Sequence, residues 1–308
     1  MTKKNSFTKK TTLISITLTA LFLLLLGLPV YYFLSIDNYS EIETLPTATN
    51  YPENPTKSCQ NTVKTGTAGS SRMLETVHGF GFRVHAPVNY KPQVAHPLIV
   101  VFAPATLHAS HSEKYTGLIR AATEAGFIIA YTNSQKMSAA STKALNQVKK
   151  QIADQWCIDN NRIFYTGHSD GGTVSSALAF MPETHNQALG IAPSAAGISG
   201  KDFEAYPCPE PISVMVMHGE NDSLFPDFGS QAIKWWASCN QCNPKPEIDN
   251  QSGCLVYADC SNEVITQYCS HPGSHRDWPH MNAAVIQFFN NAPTRPPADT
   301  PSTNKESL

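Results

Sequence analysis

Short runs of apolar residues recur through the middle of the chain, separated by segments of mixed polarity. Residues 97–103 read Pro-Leu-Ile-Val-Val-Phe-Ala, almost without a polar interruption, as in a strand buried on both faces of a parallel sheet. Similar runs occur at 127–131, 162–166 and 212–217, and 263–268 alternates polar and apolar residues. The pattern predicts five strands, the last of them nearer an edge of the sheet.

The segments between these strands carry apolar residues at helical spacing. The clearest extends from Ser138 to about Cys157, where the recurring apolar side chains are Ala144, Leu145, Val148, Ile152 and Trp156. Others lie near 112–125, 171–182, 228–238 and 279–290. Strands that alternate with helices predict an α/β fold with a mostly parallel central sheet and helices on both faces.

The two ends of the chain have a different composition. Lys3, Lys4, Lys9 and Lys10 precede an uncharged, largely apolar stretch from Thr11 to Ile36, and the next Lys or Arg is Lys57. A basic flank before an apolar run places the downstream chain outside the cytoplasm. The stretch is long enough to span a bilayer and has no small-x-small cleavage site, so a membrane anchor and a signal segment both stay open, and both export the protein.

The composition of the other segments predicts how the chain is divided into a linker, a domain and a tail. Residues 37–57 are rich in Thr, Asn, Glu and Pro and predict a linker, and 292–308 predict a disordered, Pro-rich tail. We therefore expect a segment 1–36, a linker 37–57 and one catalytic domain 58–291 without a large cap. The net charge of −2 and hydrophobic content of 41% in 308 residues are those of an ordinary folded protein and give no reason to expect nucleic acid as a partner.

All eight cysteines follow the apolar segment: Cys59, Cys157, Cys208, Cys239, Cys242, Cys254, Cys260 and Cys269. An even number in an exported chain predicts disulfides. The group Cys239, Cys242, Cys254 and Cys260 allows a zinc site as the alternative. The connectivity does not follow from the sequence, and the pairing of Cys242 with Cys260 is a guess.

The strongest chemical signal follows the strand predicted at 162–166. The sequence continues Gly167-His168-Ser169-Asp170-Gly171-Gly172, and a helical pattern comes next. This strand–turn–helix context is what a Gly-x-Ser-x-Gly nucleophile elbow requires, because the turn is so tight that its neighbours must lack bulk. Ser169 is the predicted nucleophile, and the backbone N–H of Asp170 is a predicted oxyanion donor.

A serine nucleophile needs a histidine base and a carboxylate that orients it, and the α/β-hydrolase chain order is Ser, acid, His. Asp222 follows the strand at 212–217 and is the predicted acid, with Asp227 and Glu220 as alternatives. His275 precedes the last helix and is the predicted base. His271 and His280 compete with it, and the three histidines also allow a metal site, although no motif such as His-Glu-x-x-His accompanies them.

These segments together resemble a known family. Asp159-Asn160-Asn161-Arg162 leading into the elbow, His218-Gly219-x-x-Asp222, and Gly273-Ser274-His275 before Trp278-Pro279 are similar to the poly(3-hydroxybutyrate) depolymerase-like esterases. That group is close to the feruloyl and acetylxylan esterases of carbohydrate esterase family one. The resemblance covers roughly residues 75 to 290 and implies an α/β-hydrolase fold, ester hydrolysis outside the cytoplasm, and Ser169, Asp222 and His275 as a triad.

The sequence departs from that family at the second oxyanion donor. Such enzymes usually end an early strand with His-Gly, but this strand ends Ala103-Pro104-Ala105-Thr106. Proline has no N–H, so the second donor is either the backbone N–H of Ala105 or of Thr106, or it is lost; we select Ala105. The spacing from His275 to Trp278 is also one residue longer than the family's usual form.

The sequence therefore predicts an exported serine esterase, cofactor-free, acting on a small or oligomeric ester of hydroxyalkanoate, feruloyl or acetyl type. Two other functions stay open. One is a serine peptidase on the same scaffold, and the other is a non-catalytic binding module on a hydrolase fold, suggested by Ala103-Pro104. The membrane is an expected partner through the segment 1–36.

Overall fold

The structure is a computed structural model that describes residues 45–49, Cys59 and 63–295. In these residues one sheet contains all the strands: β1 Gly69–Ser70, β2 Leu74–Glu75, β3 Gly81–Ala86, β4 His96–Phe102, β5 Ile128–Thr132, β6 Ile158–His168, β7 Gly190–Ser194, β8 Ser213–Asn221, β9 Glu247–Ile248, β10 Leu255–Tyr257 and β11 Thr266–Ser274.

The centre of this sheet is parallel. Strands β5, β4, β6, β7, β8 and β11 follow one another in that spatial order, each parallel to its neighbour. Antiparallel strands border both sides: β3 with β1 and β2 beside β5, and β10 with β9 beside β11. The strand predicted at 263–268 is the last parallel strand on its side of the sheet, and the short antiparallel strands β10 and β9 lie beyond it.

Helices cover both faces of the sheet. They are α1 Ala109–Thr116, α2 Leu118–Glu124, α3 Ala139–Leu145, α4 Gln147–Gln155, α5 Asp170–Phe180, α6 Gly200–Phe203, α7 Phe228–Cys239 and α8 Asn282–Asn291. Val148, Leu178 and Trp236 pack on one face, in a core with Val100 and Val214 of the sheet. Leu118 and Phe289 pack on the other face, in a second core. This is the predicted α/β-hydrolase architecture.

Two predicted helices are interrupted. The helix expected from Ser138 to Cys157 is divided between α3 and α4 at Asn146, whose side chain accepts a hydrogen bond from the Tyr165 hydroxyl at 2.9 Å. The segment expected at 112–125 is divided between α1 and α2 at Gly117, which has φ 61°. Glycine reaches that left-handed conformation without strain and ends helices in this way.

The four disulfides are Cys59–Cys157, Cys208–Cys239, Cys242–Cys260 and Cys254–Cys269. The guessed pair Cys242–Cys260 is thus present. All four cysteines of the zinc alternative are in disulfides, so that interpretation is wrong. Cys208–Cys239 joins the segment before β8 to the end of α7, Cys242–Cys260 joins the loops that follow α7 and β10, and Cys254–Cys269 joins the turn before β10 to β11. Cys269 thus lies in the strand that ends just before His275.

Several predictions concern the ends of the chain. The anchor or signal segment 1–36 lies outside the described residues, as does most of the predicted linker and tail. Residues 45–49 of the linker contact the domain: the Ala48 N–H donates to Asn89 Oδ1 at 3.1 Å, and the Thr49 N–H to the Glu124 carbonyl at 2.9 Å. Within the part of the chain that the structure describes, no helix has the length and apolar character that a bilayer span requires.

Candidate active site

The turn at Ser169 joins β6 directly to α5. Ser169 has φ 54° and ψ −117°, a sparsely populated conformation for a side-chain-bearing residue. Its N–H donates to the Ser194 carbonyl at 3.0 Å. The flanking glycines are required by close backbone contacts: a Cβ at Gly167 would lie 2.5 Å from the Phe102 carbonyl oxygen, and one at Gly172 2.5 Å from that of Ser194.

The structure brings Ser169, His275 and Asp222 together in one hydrogen-bonded chain. His275 Nε2 lies 3.0 Å from Ser169 Oγ, and His275 Nδ1 lies 2.8 Å from Asp222 Oδ2. The topology explains this meeting, since β8 ends at Asn221, β11 ends at Ser274, and these two residues are register partners in adjacent parallel strands. Ser169 follows β6, which is separated from β8 only by β7.

Asp222 is held as a buried carboxylate. Its side chain is 0% exposed, and its Oδ1 accepts the N–H groups of Leu224 and Phe225, both at 2.9 Å. Burial alone would raise the pKa of this carboxyl, but the hydrogen bonds from His275 and the Phe225 N–H outweigh it and hold the pKa below its usual value. A carboxylate in this state orients an imidazole and stabilises its protonated form.

The alternatives considered for acid and base lie outside this chain of hydrogen bonds. Asp227 is exposed at the N-terminus of α7, and Glu220 is exposed and accepts a hydrogen bond from Ser270 Oγ at 3.0 Å. His271 accepts the Gly273 N–H at 3.2 Å, and His280 is exposed just before α8. Among the described residues, no three His, Cys, Asp or Glu side chains are arranged to hold a metal ion.

The predicted oxyanion donors lie at the ends of neighbouring strands. Asp170 is the first residue of α5, so its N–H is one of the four that a helix leaves without an internal partner. The chain leaves β4 at Phe102, and the Ala103 N–H points to Thr132 Oγ1 at 3.4 Å. Ala105 is exposed in the loop that follows, next to Thr106 with φ 65°. The role of both donors stays a prediction.

An apolar wall, formed by Leu224, Phe225 and Phe228, stands beside His275. The Phe225 ring meets the His275 ring edge-on, with centroids 4.9 Å apart and planes at 89°. It also stacks on Phe228 at 5.4 Å, and Leu224 next to it is 60% exposed. The loop 223–228 is one that we expect from the sequence to line the substrate pocket, but its position beside the base depends on the turn whose N–H groups Asp222 accepts.

A small recess lies beside Asp170, toward β4 and β5. Its lining is mixed, with the polar residues Thr132, Asn133, Ser134, Gln135, Ser141 and Thr142 and the apolar residues Phe102, Ala103, Met137, Leu145 and Val174. Burial raises the pKa of the Asp170 carboxyl, and the charge of His275 opposes that shift.

The loop that carries His275 is held by two sets of side-chain contacts, one within the loop and one from α1. Asp277 Oδ2 accepts the Ser274 N–H at 2.7 Å and the Ser274 hydroxyl at 2.8 Å. The Tyr115 hydroxyl of α1 donates to the Arg276 carbonyl at 3.2 Å. Sequence reasoning missed both contacts. The Ser-x-x-Asp spacing of Ser274 and Asp277 is a visible turn signal, whereas nothing in the sequence links Tyr115 to Arg276.

Comparison with curated proteins finds feruloyl esterases. The chain is 32% identical over 133 residues to feruloyl esterase C of Emericella nidulans, a match that covers 42% of this chain and 45% of that protein. It is 26% identical over 206 residues to a probable feruloyl esterase C of Aspergillus flavus, covering 61% of this chain and 73% of that protein. The chain thus spans about half the length of the first of these relatives. No profile of a known protein family matches it.

Solved structures show the same fold at low sequence identity. An acetyl xylan esterase from Aspergillus awamori superposes with a TM-score of 0.54 at 13% identity, over 71% of this chain and 98% of that one. A putative dipeptidyl aminopeptidase IV from Bacteroides ovatus superposes with a TM-score of 0.52 at 14% identity, over 72% and 35%. The α/β-hydrolase fold and the predicted similarity to feruloyl esterases are confirmed; the similarity to poly(3-hydroxybutyrate) depolymerases stays a prediction.

Proposed function

We propose that this protein is an exported carboxylic ester hydrolase that acts through Ser169, His275 and Asp222. The observation that carries the proposal is the chain of contacts from Ser169 Oγ to His275 Nε2 at 3.0 Å and from His275 Nδ1 to Asp222 Oδ2 at 2.8 Å. Both distances are those at which a base removes a proton and a carboxylate orients that base.

The reaction has two halves. Ser169 Oγ attacks the ester carbonyl while its proton passes to His275 Nε2, and the oxyanion is stabilised by the N–H groups of Asp170 and of Ala105. The tetrahedral intermediate then expels the alcohol, which takes that proton and leaves an acyl group on Ser169. A water molecule attacks the acyl carbon and gives a proton to His275. The bond between that carbon and Ser169 Oγ then breaks as Oγ takes the proton back from His275, and the carboxylic acid is released.

Two observations support the substrate class and the compartment. The curated relatives are named feruloyl esterases, so feruloyl esters are the favoured substrates, ahead of acetyl esters and hydroxyalkanoate oligomers. Four disulfides in one domain are typical of proteins that fold in an oxidising compartment. We therefore place the protein outside the cytoplasm; attachment to the membrane through residues 1–36 stays a prediction.

The test is hydrolysis of p-nitrophenyl acetate and butyrate by the wild type and by Ser169→Ala. We expect turnover in the wild type and a loss of at least about 10³-fold in kcat in the variant, since the nucleophile is gone. A fluorophosphonate probe should label Ser169 in the folded protein. Absence of both turnover and labelling would favour the binding module, and faster cleavage of matched amides than of esters would favour the peptidase. A panel of methyl ferulate, acetylated sugars and hydroxybutyrate oligomers then ranks the substrates.

A further inference from the structure

His168, the residue before the proposed nucleophile, makes two hydrogen bonds from a buried position. The residue as a whole is only 3% exposed. Its Nε2 lies 2.6 Å from the backbone carbonyl oxygen of His275, and its Nδ1 lies 3.0 Å from Ser194 Oγ. A carbonyl oxygen only accepts hydrogen bonds, so Nε2 carries the proton, and in the neutral ring Nδ1 accepts the Ser194 hydroxyl.

The two adjacent residues His168 and Ser169 therefore contact His275 at two different places. Ser169 Oγ contacts the imidazole ring at Nε2, and His168 Nε2 contacts the main chain of the same residue. The contacts close a ring that passes from the Ser169 hydroxyl through the His275 side chain and carbonyl to the His168 side chain. If the His275 backbone shifted, its hydrogen bond with His168 or the contact of its ring with Ser169 would lengthen. Both partners belong to the turn that carries the nucleophile.

From this arrangement we infer that His168 is a positioning residue, which fixes the main chain of His275 so that its imidazole stays in line between Ser169 and Asp222. The inference rests on the proposed function, because it assigns His168 a task in the same reaction. His168 does not take the proton itself, since both of its ring nitrogens are engaged with groups other than the Ser169 hydroxyl.

The surroundings of His168 favour one protonation state. Tyr115 of α1 meets its ring at 5.2 Å, Trp278 at 6.3 Å and His275 at 5.5 Å. The charged or titratable groups that act on it are those of His275, His271, Asp222 and Asp277. Burial has the largest effect and lowers the pKa of His168 to about 4. Near neutral pH the ring is uncharged, and the Nε2–H donor is present continuously.

The test uses His168→Phe, which keeps a ring of similar size without a donor, and His168→Gln, whose amide N–H reaches about as far as Nε2. For His168→Phe we expect kcat on p-nitrophenyl butyrate to fall about 10²-fold with KM within about twofold, because small displacements of a catalytic group cost about that much. His168→Gln should recover at least about tenfold of the loss. Equal losses in both variants would overturn the inference and leave His168 a packing residue.

The matched control is His96→Phe. His96 is also buried, at 0% exposure, and its Nδ1 lies 2.8 Å from the Gly126 carbonyl oxygen, but it is at the start of β4, the end of the strand remote from the site. We expect its kcat to stay within about twofold of the wild type although its melting temperature falls, which separates a general loss of packing from loss of positioning.

A second measurement does not depend on turnover. The proton between His275 Nδ1 and Asp222 should give a low-field NMR resonance in the wild type, and it should weaken or shift in His168→Phe and reappear in His168→Gln. If the wild type hydrolyses no ester and its Ser169 takes no label, the proposed function fails, and this resonance still decides the positioning role. Should His168→Phe not fold, His168→Asn replaces it, because its shorter amide stays polar but does not reach the His275 carbonyl oxygen. An unchanged resonance and kcat in that variant would overturn the inference.

Discussion

Gly171 lies so close to the end of β4 that a Cβ atom there would be 1.9 Å from the carbonyl oxygen of Phe102. The first turn of α5 therefore packs directly against the end of β4, the strand that leads to the predicted oxyanion loop. A glycine is required at position 171 because the two backbones approach each other so closely. The positive φ of the elbow is at Ser169 and not at this glycine.

The first prediction concerns this contact. Gly171→Ala should destabilise the protein by at least about 3 kcal/mol, because neither backbone has room to move away. Thermal unfolding and p-nitrophenyl butyrate hydrolysis measure the effect, and both should decline. Gly200→Ala in α6 is the control, since the Cβ there would meet only the flexible Gln231 side chain at 3.0 Å. Equal melting temperatures in the two variants would show that the elbow tolerates the methyl group.

The second prediction concerns the carboxylate. Asp222→Asn keeps the shape of the side chain but loses the charge that orients His275, so kcat/KM should fall about 10³–10⁴-fold with the fold intact. The exposed Asp227 is the comparison, and Asp227→Asn should change kcat/KM by less than about threefold. Circular dichroism checks folding in each case. If Asp227→Asn is the more damaging change, the acid has been assigned to the wrong residue.

The third prediction concerns the apolar wall. The leaving alcohol must receive its proton from His275, so it lies on the His275 side of Ser169, where Phe225 stands. Phe225→Ala should raise KM for 1-naphthyl acetate about tenfold and leave KM for ethyl acetate nearly unchanged, because an aromatic contact is worth about 1 kcal/mol or more. The control Tyr206→Ala alters a partly exposed aromatic residue before β8, at the opposite end of that strand. A parallel rise in KM for both esters would argue against selectivity at this wall.

The fourth prediction concerns stability at acid pH. The pKa of His168 is about 4 in the folded protein against 6.5 unfolded, so between these values the unfolded chain binds the proton more readily and the free energy of unfolding decreases as the pH falls. From about pH 7 to about pH 4.5 this histidine contributes a loss of about 2 kcal/mol. Urea unfolding at both pH values should show a smaller decrease for His168→Gln than for the wild type. An identical decrease would mean that His168 titrates normally in the folded protein.

The fifth prediction concerns the disulfides. Cys59–Cys157 joins residues 98 positions apart, and Cys254–Cys269 joins residues 15 apart. If the bridges act mainly on the unfolded chain, the longer loop contributes about 4.7 kcal/mol and the shorter about 3 kcal/mol. Replacing each pair by two alanines should therefore lower the free energy of urea unfolding more for Cys59 and Cys157. The reverse order would indicate that the bridge beside the His275 strand stabilises the native state directly.

The elements that the sequence did not predict have identifiable physical reasons. Strand β3 contains Arg83 and His85, which look like surface residues, yet both are drawn inward by Glu113 of α1, with Arg83 Nη1 at 2.9 Å and His85 Nε2 at 3.1 Å from its carboxylate. Strand β7 reads Gly-Ile-Ala-Pro-Ser, a composition typical of loops. It becomes a buried central strand because β6 and β8 pair with it on both sides.

The sequence by itself determined the buried parallel strands and the elbow at Ser169, because each depends on residues close together in the chain. The chain order of nucleophile, acid and base then limited the candidates for the other two roles. Only the tertiary structure decided which carboxylate and which histidine meet. Asp222 and His275 reach Ser169 because β8 and β11 end side by side, whereas Asp227 lies at the start of α7 and His271 lies within β11, and neither joins the hydrogen bonds to Ser169. The same holds for His168, whose contact with His275 spans 107 residues and follows from strand order, which local patterns do not encode.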